Sequence, residues 1–387
     1  MTPKQLEQLP ASLSKLYMDL ELDIMKEITL TIRNVSKLEY TQYLIERAFV
    51  LGVGEKDIKS MINRTTRLTQ KEVDTLVTDA IKIDYESLRE LYNQKGVDYI
   101  PFDDNEILQQ QIATIKAQTL GECKNITNTL GFASEKGGTV VFNDLTSFYQ
   151  STMDKVVLQV STGSFDYTTA MTRAVKSMTQ SGLRTIDYAS GTKNKVEVAT
   201  RRALMTGITQ LSGQVSLSNA TKLGIETFEV TAHGGARNTG SGYLNHAGWQ
   251  GKVYTLKQLE EICGYGQGGG LKGWNCRHDF YPFDEEFSPR MYPDSELKEL
   301  AKQENTKTEY KGEKYTTYEA TQAQRKLETR MRYQRQNMEL MEAADLDSLQ
   351  AEKVLYQRRK QEYIQFSKAM NMPTQFERVK VDGLGRV

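Results

Sequence analysis

Residues 230–293 read VTAHGGARNTGSGYLNHAGWQGKVYTLKQLEEICGYGQGGGLKGWNCRHDFYPFDEEFSPRMYP. This stretch holds all three histidines of the chain (His233, His246, His278), both tryptophans (Trp249, Trp274) and two of the three cysteines (Cys263, Cys276). Glycines crowd into it as well. Rare side chains concentrated in so short a segment point to a compact module shaped by specific contacts more than by a large apolar core. Just upstream, IETFEVT (225–231) alternates β-branched and aromatic residues with polar ones, the pattern of a strand leading into the module.

Four soft-metal donors fall in the module: His233, His246, Cys276 and His278. Zinc takes about four nitrogen or sulfur ligands in a tetrahedron, and small modules with little core are often stapled this way. Cys276 and His278 stand two apart, which on a strand points both the same way. The spacing matches no standard finger, and there is no C-x-x-C. The competing reading has the histidines bonding backbone carbonyls in a knot of turns, with Cys276 simply buried.

GYGQGGGLKGWN (264–275) lacks the G-x-x-x-x-G-K-[ST] pattern, and Gly273 after Lys272 leaves no hydroxyl for magnesium. A flexible surface loop is expected there. Asn245 beside His246, and Asn275 before Cys276, match a His-Asn-His nuclease only loosely. A cysteine hydrolase needs a cation or helix N-terminus to activate Cys276 or Cys263, and the flanks specify neither. Asp284, Glu285 and Glu286 read as a solvated or capping run. Trp249 and Trp274 are expected in the module's core with Tyr243, Tyr254, Tyr265 and Phe280. The alternative sets the tryptophans, with Arg237 and Arg277, against a partner.

Outside the module the sequence is helical. Tyr17, Leu20, Ile24 and Ile28 recur at three- and four-residue steps, which predicts a helix over the first 50 or so residues. Gly52 and Gly54 are expected to break it, and Thr69 with Glu72 to cap a new helix that runs toward Gln94 and stops at Gly96. Further helices are predicted over 106–129, 145–163 and up to a C-terminal glycine at Gly182. GFASEKGGTVVFNDLT (131–146) reads as a small hairpin or a loop. Residues 315–344 and 348–370 read as two charged helices that either pair as a hairpin or pack on a neighbouring subunit, with an extended tail after Pro373. The fold class expected is mainly α and multi-helical, with a small α+β module near 225–295 and a charged helical C-terminal region. The corresponding division is 1–130, 131–224, 225–295 and 296–387.

The whole chain of 387 residues is long enough for two or three domains. Fifty basic residues balance fifty acidic ones, so the protein is no overall magnet for nucleic acid. Lys193, Lys195, Arg201 and Arg202 form a local basic cluster, readable as a solvated face, an internal ion network or a phosphate-contacting patch. Three cysteines argue against a disulfide framework. The first residues carry no apolar h-region, so no signal peptide is expected. No run of about 18 apolar residues occurs, so no membrane span is expected.

The strings HGGARN (233–238), NHAGWQGKVY (245–254), GYGQGGGLKGWNCRH (264–278) and YPFDEEFSPRMY (281–292) resemble the phage minor capsid protein type 2 family of tailed bacteriophages. EVATRRALMTGITQLSG (197–213) and LGIETFEVTAH (223–233) resemble the segment before the family motif, and KYTTYEATQAQRKLETRMRYQR (314–335) its charged helical tail. The likeness spans roughly residues 144–387. His233, Arg237, His246, Trp249, Gly251, Gly273, Asn275, Cys276, Arg277 and His278 match motif positions; NTGSGYLN (238–245) is longer than its counterpart. The resemblance implies a structural minor head protein made in the host cytoplasm and placed in the virion near the portal vertex, in several copies. Its implied partners are the portal protein, the major capsid protein and packaged double-stranded DNA. DNA contact would use Lys193, Lys195, Arg201, Arg202 and the arginines of 325–335. No enzymatic activity travels with the resemblance; the alternative is a metal-dependent hydrolase or nuclease centred on the His/Cys cluster.

Overall fold

A computed structural model describes residues 1–136, 139–187 and 191–380. Residues 137–138 of the expected hairpin or loop and the last residues of the tail (381–387) lie outside the described residues; within the described part of the tail, expected as extended, Phe376–Val379 is a short helix. Among the described residues helices dominate, with three small antiparallel sheets, so the protein is mainly α with a small α+β part. No described helix is long and apolar enough to cross a membrane.

The chain forms two compact units, each assembled from separated stretches. One comprises Met1–Ser12, Lys71–Gly121 and Arg201–Ala323; the other comprises Leu13–Gln70, Glu122–Thr200 and Gln324–Val387. The sequence divisions at 130, 224 and 295 follow changes of composition along the chain, which is a different partition.

In the second unit, the Ala11–Val35 helix buries the stripe read from the sequence: Tyr17, Leu20, Ile24 and Ile28 are inaccessible, together with Leu13 and Ile32. The next helix corrects the sequence reading. Tyr40–Glu86 is continuous through Gly52, Gly54 and Thr69, and the break falls before Tyr40 instead. Thr69 sits in mid-helix. Its hydroxyl bonds back to the Thr65 carbonyl (2.9 Å) and lies 3.2 Å from the buried Tyr17 hydroxyl, so it is a packing residue and caps nothing. Gly54 is there for close approach: a Cβ would lie 2.7 Å from Cε1 of the Tyr149 ring. Tertiary packing therefore overrides the local penalty of glycine in a helix.

Leu130–Lys136 and Thr139–Asp144 pair antiparallel, which fulfils the hairpin expectation, and Arg184–Ile186 and Lys193–Lys195 extend the sheet. Phe132 stacks on Phe148 at 4.4 Å behind it. The Tyr167–Ser181 helix ends at Gly182, as read. Leu349–Ala369 folds back on the Thr317–Ala343 helix: Tyr363 donates to Glu328 (3.0 Å), and Gln324 donates to Ser367 (2.9 Å). The charged helices thus form an intramolecular hairpin.

In the first unit, Thr227–Val230 is the centre of a three-stranded sheet between Val253–Thr255 and Phe280–Pro282. Its apolar side packs Phe228, Val230, Tyr254 and Phe280 with Leu88, Leu91, Tyr92, Leu223, Trp249, Leu259 and Leu271. The Tyr92 hydroxyl donates to Asn219 (2.6 Å) on the Val196–Leu223 helix, which satisfies a polar group this core would otherwise leave buried and unpaired.

Candidate functional site

The 264–275 segment, expected as a flexible loop, is tightly tied. Leu271 N–H donates to Cys263 O (2.8 Å), Trp274 N–H to Gly268 O (2.6 Å) and Cys276 N–H to Gly273 O (3.1 Å). Gly270 is required where two turns touch, because a Cβ there would meet the backbone of Gly264. Arg237 clamps the loop from outside through Gly269 O (2.9 Å) and Trp274 O (3.1 Å). The sequence reading missed this order because no single residue of the loop announces it; it comes from main-chain bonds.

The clamped loop delivers Cys276 and His278 beside His246, which opens the short His246–Trp249 helix. One donor atom from each of these three lies within 4.8 Å of the others, and all three residues are buried. His233 stays out of the set. Its ring stacks on His278 at 4.5 Å between centroids, and its Nδ1 lies 2.9 Å from Gly234 O. Gln250, which the sequence reading overlooked, orders the pair. Its Oε1 accepts the His233 main-chain N–H (3.0 Å), and the His278 Nε2 is also 3.0 Å away. Since the main-chain group can only donate, that atom is the amide oxygen, and His278 Nε2 must carry the proton. His278 Nδ1 then accepts, 3.6 Å from Cys276 Sγ. His246 Nε2 faces Gly269 O at 2.9 Å, so its proton is fixed in the same way.

Burial pushes His246 down to about 4, with Arg237 adding to the effect, and holds His278 well below the ordinary imidazole range. Burial also raises the Cys276 thiol. The cluster is therefore neutral at pH 7. A buried protonated thiol is a poor nucleophile, whereas neutral imidazoles are good metal donors.

The expected contact residues separate. Trp249 cannot meet a partner, because it is buried in the core with its indole N–H on Tyr243 O (3.1 Å). Trp274, expected in that core, is 61% exposed. Arg277 is ion-paired with Glu7 (2.8 Å), and Arg201 donates to Asn275 (2.9 Å). Lys195 lies 4.0 Å above the Tyr333 ring. Lys193 and Lys195 belong to one compact unit and Arg201 and Arg202 to the other.

A second buried cluster lies outside the sequence reading altogether. Lys272, with φ 58° in the left-handed region, runs its side chain inward to an ion pair with Asp279 and a hydrogen bond to Ser212 (2.8 Å). Ser212 in turn bonds Asp84 (2.5 Å), whose carboxyl is pushed up by burial and by the Asp279 charge. The Met1 amino group pairs with Asp84 and Tyr281 donates to it (3.2 Å). Nothing in the sequence links Asp84 to Asp279 across nearly 200 residues.

The pattern of the phage minor capsid protein 2 family matches residues 1–366. The chain belongs to the phage minor capsid protein 2 family. The match covers the N-terminal helices as well as the His/Cys module, so the family signal reaches further than the motif strings. A structural role in a phage head and a place in the virion follow from membership. No curated protein and no solved structure matches the chain.

Proposed function

We propose that this minor capsid protein works as an internal fitting of the phage head, docked on the portal at the portal vertex. The observation that carries this is an apolar face on the Tyr40–Glu86 helix. Ile45 is 78% and Phe49 76% exposed, with Leu44 and Val53 beside them. The steps 45, 49 and 53 form one helical stripe. Phe49 and Val53 also line a groove of about 390 Å³ with Glu27, Thr31, Asn34, Val35 and Leu38. Contiguous exposed apolar side chains of this size mark a protein partner. Glu27 and Glu46 at the groove favour a partner surface that brings basic or hydrogen-donating groups around an apolar centre. DNA contact is a secondary element of the proposal, because the chain is neutral overall and Arg201 and Lys195 already have internal partners.

The test is capture of the chain by the portal protein. The Ile45→Asp/Phe49→Asp double variant should weaken capture by about 10- to 100-fold, as expected when two central apolar anchors are lost. Its urea midpoint should stay unchanged, because both side chains are exposed. Wild-type capture by the double variant would sink the proposal. The hydrolase or nuclease alternative has no comparable support: its thiol and two of its imidazoles are buried.

A further inference from the structure

We propose that His246, Cys276 and His278 hold one zinc-class divalent ion that locks the clamped loop to the short helix. Three observations carry this beyond the docking role. First, the donors already converge. Tetrahedral zinc, with bonds of about 2.0–2.3 Å, sets its ligand atoms about 3.3–3.6 Å apart. Cys276 Sγ and His278 Nδ1 stand at 3.6 Å, and all three donor atoms fall within 4.8 Å.

Second, the proton positions suit ligation. Ligating histidines nearly always give their other ring N–H to a carbonyl or carboxylate, which fixes ring orientation. His278 gives its Nε2 proton to Gln250 Oε1 and His246 gives its own to Gly269 O. His278 is left with an unprotonated Nδ1 that faces Cys276 Sγ. Gln250 is itself oriented by the His233 main-chain N–H, so the support is built in and independent of the ion.

Third, the three donors come from two segments, the short helix and the stretch between the loop and the Phe280–Pro282 strand, and all three cysteines among the described residues are free thiols. A single ion would join these segments where no disulfide does. Binding converts the Cys276 thiol to a thiolate ligand and releases its proton to solvent; no other bond changes. Three protein donors leave the fourth position to water. The rival arrangement is a plain S–H to Nδ1 hydrogen bond between Cys276 and His278, and the experiment separates the two.

The full chain is purified without chelator and its metal content measured, then stripped and titrated with cobalt(II). The expected result is about one zinc per chain and, with cobalt, the intense visible bands of a tetrahedral site plus a near-ultraviolet sulfur-to-cobalt band. Cys276→Ser should remove the sulfur band, while Cys263→Ser, at the neighbouring buried thiol, should keep it. Should Cys276→Ser fail to fold, the wild-type cobalt spectrum decides alone. Substoichiometric metal with a featureless cobalt spectrum would overturn the proposal and leave the hydrogen-bonded knot. Bound metal lacking the sulfur band would overturn the ligand assignment. Portal capture does not enter this readout, so its failure and that of the docking role are distinguishable.

Discussion

Lys272→Met lowers the stability of the protein by about 3–5 kcal/mol, the usual cost of removing one partner from a buried ion pair. Lys272, Asp279, Asp84 and Ser212 are all nearly inaccessible to water. Methionine fills most of the same volume, so packing changes little. What is lost is the cation facing Asp279 and the donor to Ser212. Asp279 then keeps only the more distant Met1 amino group, 3.8 Å away, which Asp84 already shares. Urea unfolding measures this as a fall in midpoint. The compensating double variant, Lys272→Met with Asp279→Asn, removes the stranded charge and should recover a large share of the loss. A single variant within about 1 kcal/mol of wild type would show that the cluster is not held by charge balance.

Gly54→Leu destabilises by about 1–3 kcal/mol, the range for forcing volume into a packed interior. The Tyr149 ring occupies the space a side chain needs, and both residues are buried. Gly52 supplies the contrast. It lies two residues away on the same helix, is exposed, and a Cβ there would meet nothing within 4 Å. Gly52→Ala should therefore stabilise by about 0.5–1 kcal/mol through helix propensity. Opposite signs from two neighbouring glycines, read as thermal midpoints, test whether Gly54 is a contact residue. Equal stabilisation by Gly52→Ala and Gly54→Ala would show that Tyr149 moves aside freely.

These two cases show how much the sequence could tell. A stripe such as Tyr17, Leu20, Ile24 and Ile28 was legible because burial and periodicity lie in one local segment. The hairpin at 130–144 and the stop at Gly182 were legible for the same reason. The helix break was misplaced because glycine in a helix costs only about 1 kcal/mol, less than the packing of Tyr149 can supply. Thr69 and Glu72 have the spacing of a capping box, yet the helix they would open was already under way.

At the candidate site the residue types were readable and their grouping was partly so. The two-residue spacing of Cys276 and His278 is compatible with joint ligation, and His246 is a third donor of the right type. Sequence gives identity without direction, so only the fold shows that the His233 ring stacks on His278. Gln250, common and chemically plain, carries no signal until its oxygen is seen between His233 N–H and His278 Nε2.

The sequence by itself determined the helical class, the strand entering the module, the rare residues that would gather there, and the family whose motif they spell. These are local properties, fixed by periodicity, side-chain chemistry and spacing along the chain. Tertiary structure alone decided which glycine faces a ring, which tryptophan is buried, and that Asp84 meets Lys272 and Asp279. Those outcomes depend on distances between segments far apart in the chain, and the burial that makes them energetically large exists only once the chain has closed around them.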